Sequence, residues 1–295
     1  MGRCCRTDRC LAERAGTVVS PALVALVTGA TSGIGEATAR RLHDRGYRVF
    51  ATGRKSEALE LLGAQGLYAR RLDVTDEAAV ALLIDEIAGE HGGVDVLVNS
   101  AGFGLASPLE QAALSDVRSV FETNVFAMLR LAQSVLPGMR ERGAGTIVNI
   151  GSTGGRFTTP GAGAYHMSKY SVEALSLALG AEVKPFGVRV VLIEPTGVRT
   201  GFAAAQLTAS ESTNGDDDPY REFKRRYDET TRALTDNHLV TVDADAVARA
   251  VTRVIDARNP KPRYIVGASG HATVLARRLL TDRMWDGIVT RRLRP

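Results

Sequence analysis

The amino-acid sequence predicts an α/β fold in which one parallel sheet of about seven strands is doubly wound, with helices on both faces. Short apolar runs alternate with amphipathic segments along most of the chain, which is typical of βαβ units. The apolar runs are continuous, as expected for strands that are buried on both faces. No linker-like segment occurs between residues 22 and 195, so these units are expected to form one domain.

The predicted elements follow one another in a regular order from residue 22 onward. Strands are expected at residues 22–27, 47–51, 67–72, 94–98, 146–150, 188–193 and 263–266. Helices are expected at residues 33–45, 56–62, 75–90, 115–142, 164–183, 244–257 and 272–280. Because helices connect successive parallel strands by crossovers, this order predicts helices on both faces of the sheet.

Local signals indicate where several of these elements begin and end. The first strand is the apolar run ALVALV, and the first helix ends at Gly46. Asp76 favours the start of the third helix, because a carboxylate suits the positive end of the helix dipole. Pro185 and Gly187 end the helix at residues 164–183, since proline lacks an amide N–H and glycine tolerates left-handed backbone.

Composition and charge exclude several classes of protein. The chain has 295 residues, of which 44% are apolar and 24% are charged, as in ordinary globular proteins. Its 37 Lys and Arg exceed its 33 Asp and Glu by only four, and they are scattered, so nucleic acid binding is not expected. No apolar run reaches the roughly 18 residues that indicate a membrane span, so none is expected.

The three cysteines lie within the first ten residues of the chain. Cys4, Cys5 and Cys10 have no partner elsewhere and no histidine nearby, which disfavours a disulfide framework or a zinc site. We therefore expect a reduced, disordered tail at residues 1–20 of a cytoplasmic protein. The apolar residues 17–30 could also form the core of a signal peptide, but they lead straight into a glycine turn, which favours a buried strand.

A glycine-rich turn connects the first predicted strand to the first helix, with the sequence TGATSGIG at residues 28–35. Glycines let the backbone approach a pyrophosphate closely, and the helix N-terminus attracts its charge. A strand before the turn and a helix after it are the required context, and no Gly-Lys-Ser/Thr follows as in a P-loop. The turn therefore predicts dinucleotide binding. The expected contacts are Gly29, Thr31, Ser32, Gly33, Ile34 and Gly35.

The end of the second predicted strand indicates which dinucleotide binds. A carboxylate there would hold the ribose 2′-hydroxyl of NAD, whereas an arginine accommodates the 2′-phosphate of NADP. Arg54 occupies this place and Lys55 follows it. We therefore expect NADP(H) to be preferred over NAD(H), although the two cations could also be ordinary surface residues.

Tyr165 and Lys169 are four residues apart in a predicted helix, so their side chains lie on one face. A nearby ammonium favours the phenolate and lowers the pKa of a tyrosine from its ordinary value near 10. The pair therefore predicts a proton donor and acceptor that works near neutral pH. Because this spacing is common by chance, it indicates chemistry only together with other motifs.

Other motifs do accompany this pair. They are, in chain order, Asp73-Val74, Asn99-Ser100-Ala101-Gly102, Asn124 and Ser152. With these motifs the chain resembles the short-chain dehydrogenase/reductase family in its single-domain, Rossmann-type form, over about residues 22–200. The residues around Asn124, Tyr165 and Pro195 resemble the branch of hydroxysteroid and retinol dehydrogenases.

The resemblance implies a role for each catalytic candidate. Tyr165 would be the general acid in carbonyl reduction and the base in alcohol oxidation, and Ser152 would stabilise charge on the substrate oxygen. Lys169 would lower the pKa of Tyr165 and bind the nicotinamide ribose. Asn124 would hold a water that links Lys169 to solvent. The implied activity is hydride transfer between a nicotinamide cofactor and an alcohol or carbonyl.

The resemblance also implies cofactor contacts beyond the glycine turn. Asp73 would bind the adenine amino group, beside the backbone of Val74. The other implied contacts are Asn99, Ala101 and Gly102 on the adenosine side, and Pro195, Val198 and Thr200 at the nicotinamide. The chain departs from the family pattern at Ser100, where asparagine is usual, and at Thr196, where glycine is usual.

Apolar residues surround the expected substrate position. They are Phe103, Leu105, Phe157, Phe202 and Leu207, in segments at residues 102–107, 153–160 and 196–237. The last segment is long and polar overall, which is typical of a functional loop. We expect a hydrophobic alcohol or ketone that is steroid-, retinoid- or lipid-like. The catalytic domain would then span residues 21–270, with residues 271–295 as a C-terminal extension.

Two further aromatic residues have no expected catalytic role. His166 adjoins Tyr165 but points about 100° away around the helix, so packing or the pocket rim explains it better than a base. Trp285 is expected to anchor the C-terminal segment, or else to close the substrate pocket.

Two predicted helices carry more apolar residues than one face of a sheet requires. These residues are Val117, Phe121, Val125, Met128 and Leu129 on one helix, and Tyr170, Ala174, Leu177 and Ala181 on the other. Because members of the family that the chain resembles pair these helices, we expect a homodimer or homotetramer.

Two other functions compete with an oxidoreductase. A regulator that senses NADP without catalysis would have no use for the four polar candidates Asn124, Ser152, Tyr165 and Lys169 together. An epimerase or dehydratase of nucleotide sugars would carry a Gly-x-x-Gly-x-x-Gly turn, which residues 28–35 do not match.

Overall fold

Seven parallel strands form the central sheet of the computed structural model, which describes residues 22–199 and 217–291. The described residues contain nine strands in all: β1 (Val24–Val27), β2 (Arg48–Gly53), β3 (Tyr68–Arg71), β4 (Val96–Asn99), β5 (Gly145–Ile150), β6 (Val188–Pro195), β7 (Gly197–Arg199), β8 (Thr241–Asp243) and β9 (Arg263–Val266). The sheet has the order β3-β2-β1-β4-β5-β6-β9, and every neighbouring pair is parallel. The predicted doubly wound, Rossmann-type sheet is confirmed.

Helices pack on both faces of this sheet. They are α1 (Gly33–Asp44), α2 (Ser56–Ala64), α3 (Glu77–His91), α4 (Leu114–Phe121), α5 (Ala127–Glu141), α6 (Gly163–Val183), α7 (Arg221–Asp236), α8 (Ala244–Asp256), α9 (Ala268–Leu279) and α10 (Asp282–Thr290). Asp76 caps α3 by accepting a hydrogen bond from the amide of Ala79 at 3.0 Å, which fits the predicted start of that helix.

Two large apolar clusters make up most of the core of the described residues, and two smaller clusters accompany them. Neighbouring residues of β1 belong to different clusters, because successive side chains of a strand point to opposite faces. Leu26 belongs to a cluster with Ile87 of α3 and Leu131 of α5, whereas Val27 belongs to one with Leu42 of α1. Burial of each such side chain contributes about 1.5–3 kcal/mol. This double burial explains why the strands are continuous apolar runs.

The segment predicted as a substrate loop at residues 196–237 contains regular structure. β7 pairs with β8 in a separate, two-stranded parallel sheet, and α7 spans 16 residues. The sequence does not predict these strands, because three residues are too few to establish a pattern. α7 escapes detection because it is mostly polar and Lys224 is its one buried residue.

The long helix predicted at residues 115–142 is interrupted in the structure. α4 ends at Phe121, a π-helical turn occupies Glu122–Phe126, and α5 continues from Ala127. A π-helical turn changes the hydrogen-bond ladder locally and is frequent at functional sites. Asn124 lies in this turn.

The sheet topology brings the candidate residues to one edge. β1 and β4 lie side by side where the strand order reverses, and a crevice opens at the carboxyl ends of strands at such a point. The glycine turn follows β1, Asn99 ends β4 and Ser152 follows β5.

Some predictions concern residues that the structure does not describe. The tail at residues 1–20, and Thr200, Phe202 and Leu207, lie outside the described residues. Within the part of the chain that the structure describes, no helix is long and apolar enough to cross a membrane.

Candidate active site

The glycine turn lies against the backbone that follows β4. Gly29 has a φ of +65°, and a Cβ there would lie 2.8 Å from the Cα of Ala101. A Cβ at Gly35 would collide with the carbonyl oxygen of Gly29. Left-handed backbone and close contact therefore require glycine. Thr28 Oγ1 joins the same segments by accepting hydrogen bonds from the amides of Ser100 and Ala101, at 3.1 and 3.2 Å.

The amino end of α1 presents backbone amides at the crevice. α1 begins at Gly33, and the side chain of the preceding Ser32 makes no capping hydrogen bond. Amides in the first turn of a helix have no partner within the helix, and the helix dipole favours negative charge there. The close-packed turn and the uncapped helix end therefore fit the pyrophosphate of a nicotinamide dinucleotide.

Asn99 is 1% exposed and belongs to a buried chain of polar side chains. Its Nδ2 donates to Oδ1 of Asn149 at 2.9 Å, and Asn149 donates to Oγ of Ser176 at 2.9 Å. Oδ1 of Asn99 has no hydrogen-bond partner among the described residues. Because a buried polar atom without a partner is costly, this oxygen is suited to accept a hydrogen bond from a ligand in the crevice.

Arg54 follows β2 at the same edge of the sheet, and its side chain is 73% exposed. Its Nη1 lies 3.6 Å from Oδ2 of Asp73, which follows β3. The amide and hydroxyl of Thr75 donate to Oδ1 of Asp73, at 3.0 and 2.8 Å. The Thr75 amide above all holds the pKa of Asp73 below its ordinary value. Lys55 is exposed beside Arg54, and Val74 is buried beside Asp73.

Tyr165 and Lys169 lie one helical turn apart on α6, as their spacing predicts. Ser152 lies close enough to Tyr165 for its hydroxyl to lower the pKa of that phenol. Lys169 is 7% exposed, and its Nζ donates to the carbonyl oxygen of Ile150 at 3.1 Å. The same Nζ lies 5.8 Å from the ring centroid of Tyr165. The structure thus brings three of the predicted catalytic side chains together.

Burial changes the proton affinity of both groups on α6. It lowers the pKa of Lys169 to about 8, because the ammonium is desolvated. It raises the pKa of Tyr165 above its ordinary value, against the effect of the Ser152 hydrogen bond. The expected lowering of the Tyr165 pKa by Lys169 is not seen here, because desolvation of the buried phenol outweighs the opposing effect.

Asn124 is fully buried, and its side chain holds the segment after β4. Its Oδ1 accepts from the amide of Phe103 at 3.0 Å. Its Nδ2 donates to the carbonyl oxygen of Phe103 at 2.9 Å and to Oγ of Ser168 at 3.0 Å. Both amide hydrogens are therefore used within the protein. The side chain has no hydrogen left to donate to a water, and its role in holding a water stays a prediction.

A buried carboxylate that the sequence analysis missed lies near the turn after Ser152. Glu194 at the end of β6 is 0% exposed, and its Oε2 lies 3.5 Å from Nη1 of Arg156. Nε of Arg156 lies 3.6 Å from Oε2 of Glu173 on α6. Burial raises the pKa of Glu194 to about 7, and the Arg156 charge opposes this. A single acidic residue inside an otherwise apolar strand is the signal that could have found it.

Tyr227 of α7 lies next to the catalytic candidates, and the sequence analysis missed it. Its ring packs so closely on Gly161 that a Cβ there would lie 2.5 Å from its Cδ2. It is close enough to Tyr165 for the two phenols to interact electrostatically. α7 therefore packs on the loop that precedes α6.

A buried ion pair fixes the start of α7. Nζ of Lys224 donates to Oδ2 of Asp218 at 2.7 Å, and Nε2 of Gln111 donates to Oδ1 of Asp218 at 2.6 Å. Gln111 belongs to the segment between β4 and α4, so the pair connects two sides of the crevice. No sequence signal marks this pair, because a charge on a polar helix usually indicates solvent exposure.

Phe157 contacts two aromatic residues at the other side of the site. Its ring centroid lies 6.1 Å from that of His166 and 5.5 Å from that of Trp285. Trp285 is 9% exposed, so it packs α10 onto the loop of Phe157, as expected for an anchor.

The predicted nicotinamide contacts lie at the ends of two strands. Pro195 is buried at the end of β6, and Val198 is half-buried in β7. Between them, the amide of Thr196 donates to the carbonyl oxygen of Val266 at 3.0 Å, and its hydroxyl is hydrogen-bonded to Ser269 at 3.0 Å. These bonds fix the backbone at the position where the family usually has glycine.

Comparison with known sequences agrees with this geometry. The family model described as short chain dehydrogenase matches residues 23–211. A 3-ketodihydrosphingosine reductase of Bacteroides thetaiotaomicron is 34% identical over 244 residues, which cover 83% of this chain and 87% of that protein. The NADP-dependent 3-hydroxy acid dehydrogenase YdfG of Salmonella typhi is 36% identical over 217 residues, which cover 72% of this chain and 84% of that protein.

Solved structures share the fold over most of the chain. A short-chain dehydrogenase from Streptomyces avermitilis has a TM-score of 0.76 at 33% identity and covers 91% of this chain and 96% of its own. A closed form of serine dehydrogenase complexed with NADP+ has a TM-score of 0.72 at 31% identity, and the match covers 83% of this chain and 94% of that one. A short-chain dehydrogenase/reductase from Burkholderia phymatum in complex with NAD has a TM-score of 0.74 at 28% identity, and the match covers 93% of this chain and 97% of that one.

The match to the family model covers six of the seven strands of the central sheet and all four catalytic candidates. The likeness to the hydroxysteroid and retinol dehydrogenase branch stays a prediction. The chain belongs to the short-chain dehydrogenase/reductase family and is an NAD(P)-dependent oxidoreductase that acts on CH–OH groups.

Proposed function

We propose that the protein is an NADP(H)-dependent oxidoreductase that interconverts an alcohol and its carbonyl on a hydrophobic small molecule, with Tyr165 as the acid and base. The observation that carries this proposal is the grouping of the Tyr165 and Ser152 hydroxyls with the buried ammonium of Lys169. A bound nicotinamide supplies or accepts the hydride.

The hydroxyls of Tyr165 and Ser152 have different roles at the substrate oxygen. In carbonyl reduction, Tyr165 donates its proton to that oxygen while Ser152 donates a hydrogen bond to it and stabilises the developing charge. In alcohol oxidation, Tyr165 accepts the proton. Lys169 stabilises the phenolate that remains after donation, because its positive charge is held inside a desolvated site.

The proton that Tyr165 loses must be replaced from solvent. The side chain of Asn124 donates both amide hydrogens, to Phe103 and to Ser168. It therefore contributes to the proton path by holding the backbone in place. A water of the relay would then form hydrogen bonds with main-chain atoms of the π-helical turn at Glu122–Phe126 and with Lys169.

Arg54 supports the preference for NADP(H). It is exposed at the carboxyl end of β2, where it can form a forked pair with a 2′-phosphate. The Asp73 carboxylate beside it already accepts hydrogen bonds from Thr75, so N–H groups of the guanidinium remain available to a phosphate. A relative is named as NADP-dependent, which favours the same preference.

Apolar side chains on segments that pack near the start of α6 support a hydrophobic substrate. Leu105 is buried after β4, Phe157 lies in the loop before α6, and Phe223 and Tyr227 stack on α7 with ring centroids 6.4 Å apart. A relative named for reduction of 3-ketodihydrosphingosine supports a lipid-like ketone. The 3-hydroxy acid named for another relative is the polar alternative that the experiment must separate.

We also propose that the protein is a homo-oligomer formed through α4, α5 and α6. Among the expected interface residues, Val125 and Met128 are instead buried in the core of the subunit with Val172. The exposed apolar residues near them are Phe126 at 50% and Tyr170 at 43% exposure. A second copy would cover these rings, since exposed apolar patches mark interaction sites.

Fluorescence titration with NADPH and NADH, followed by turnover assays, tests this function. The assays compare long-chain 3-keto compounds with short 3-hydroxy acids at matched concentration. The proposal predicts tighter NADPH binding and a higher kcat/KM on the long-chain ketones. Turnover confined to the short hydroxy acids would overturn the substrate class, and tighter NADH binding would overturn the cofactor.

A further inference from the structure

His166 is a buried imidazole that the proposed reaction does not use. It is 5% exposed and sits next to Tyr165 on α6. Its Nδ1 lies 2.8 Å from the carbonyl oxygen of Gly154. Its Nε2 lies 3.3 Å from the amide nitrogen and 3.0 Å from the hydroxyl of Thr159. One ring therefore connects α6 to the turn after Ser152 and to the loop before α6.

These partners determine the tautomer of the ring. The amide of Thr159 can only donate, so Nε2 of His166 must accept and carries no hydrogen. The carbonyl oxygen of Gly154 can only accept, so Nδ1 must carry the hydrogen and donate it. Burial lowers the pKa of His166, which favours this neutral form at pH 7.

Gly154 connects the imidazole to the catalytic serine. Its amide donates to Oγ of Ser152 at 3.0 Å, while its carbonyl oxygen accepts from His166. A serine hydroxyl has one hydrogen and two lone pairs. The Gly154 amide occupies one lone pair, which fixes Oγ and leaves its hydrogen free to point at Tyr165 or at a substrate oxygen.

We propose that His166 is a positioning residue for the reaction: through Nδ1 it fixes Gly154 and thereby the Ser152 hydroxyl, and through Nε2 it fixes the loop at Thr159. This inference rests on the proposed function, since it assigns a role within that same site. The two nitrogens have separable effects, because one bond leads to the reacting atoms and the other to a wall of the pocket.

Two variants separate the two bonds. In His166→Asn the amide nitrogen takes the place of Nδ1, so the bond to Gly154 is kept and the bond to Thr159 is lost. In His166→Gln the amide takes the place of Nε2, so the reverse holds. We expect His166→Asn to keep kcat within about twofold and raise KM, and His166→Gln to lower kcat by about tenfold or more with little change in KM. NADPH affinity should stay unchanged in both variants.

Equal losses in the two variants, or a normal kcat in His166→Gln, would overturn the inference. Nitrogen NMR of the wild-type protein labelled at histidine supplies a second test that needs neither turnover nor a variant. We expect His166 as the neutral ring with hydrogen on Nδ1 at pH 7, and a ring with hydrogen on Nε2 would also overturn the inference. Absence of turnover in the wild type would instead contradict the proposed function.

Discussion

Replacing Arg54 by Gln should weaken NADPH binding and leave NADH binding almost unchanged. The Arg54 side chain is 73% exposed, so solvent screens its charge and its bonds to a phosphate fall at the low end of the usual range. A charge-assisted hydrogen bond at that end is worth about 1.5 kcal/mol. This corresponds to about a tenfold rise in Kd for NADPH.

Replacing Arg54 by Asp should have a larger effect, because repulsion replaces attraction. A carboxylate about 6 Å from a dianionic phosphate in water costs about 1.4 kcal/mol, which adds another factor of about ten. Arg48→Asp is the matched control, since it makes the same charge change at the amino end of β2. That position lies about 20 Å from Arg54 along the strand, beyond the Debye length at physiological salt.

Fluorescence titration of each variant with NADPH and NADH, at one ionic strength, measures both affinities. The account predicts a graded loss of NADPH affinity from Gln to Asp, with Arg48→Asp within about twofold of the wild type. An equal loss for both cofactors would refute a contact with the 2′-phosphate. So would wild-type NADPH affinity in Arg54→Asp.

Three further predictions follow from contacts in the structure. Gly35→Ala places a Cβ against the carbonyl oxygen of Gly29. It should therefore lower the free energy of unfolding by about 1–3 kcal/mol, measured by thermal unfolding, and abolish NADPH binding, measured by titration. Unchanged NADPH binding would contradict this prediction. Burial raises the pKa of Glu194 to about 7, so the folded state holds a proton that the unfolded chain releases at lower pH, and stability falls as pH rises towards 7. The Tm of Glu194→Gln relative to the wild type should therefore be higher at about pH 8 than at about pH 5, and equal differences would argue against the raised pKa. Phe126→Asp should yield monomers by light scattering, and an unchanged mass would remove this surface from the interface.

The sequence predicts the central sheet well because its inner strands, such as β1 and β4, are mostly apolar runs that are buried on both faces. β9 coincides with the predicted residues 263–266, and α6 begins one residue before its predicted start. The helix interruption at Asn124 has no comparable signal, since a π-helical turn does not disturb the apolar pattern on either side. β7 and β8 are too short for a pattern, and they form only because the chain brings them together.

In the candidate site, too, some residues can be predicted from the sequence and others cannot. Gly29, Gly35 and the Tyr165–Lys169 pair are local patterns, so the sequence identifies them. The tautomer of His166 depends on two loops that meet it in space, and the buried charge of Glu194 depends on Arg156, 38 residues away. Such contacts depend on tertiary packing, which motif spacing does not specify.

The proposed reaction requires that the Tyr165 hydroxyl transfer a proton to or from the substrate oxygen. The most direct test compares Tyr165→Phe with Tyr170→Phe, an exposed tyrosine of the same helix, by NADPH titration and steady-state turnover. The account predicts NADPH affinity within about twofold in both variants, and a kcat lowered by about a hundredfold or more in Tyr165→Phe alone. Turnover at the wild-type rate in Tyr165→Phe would contradict it.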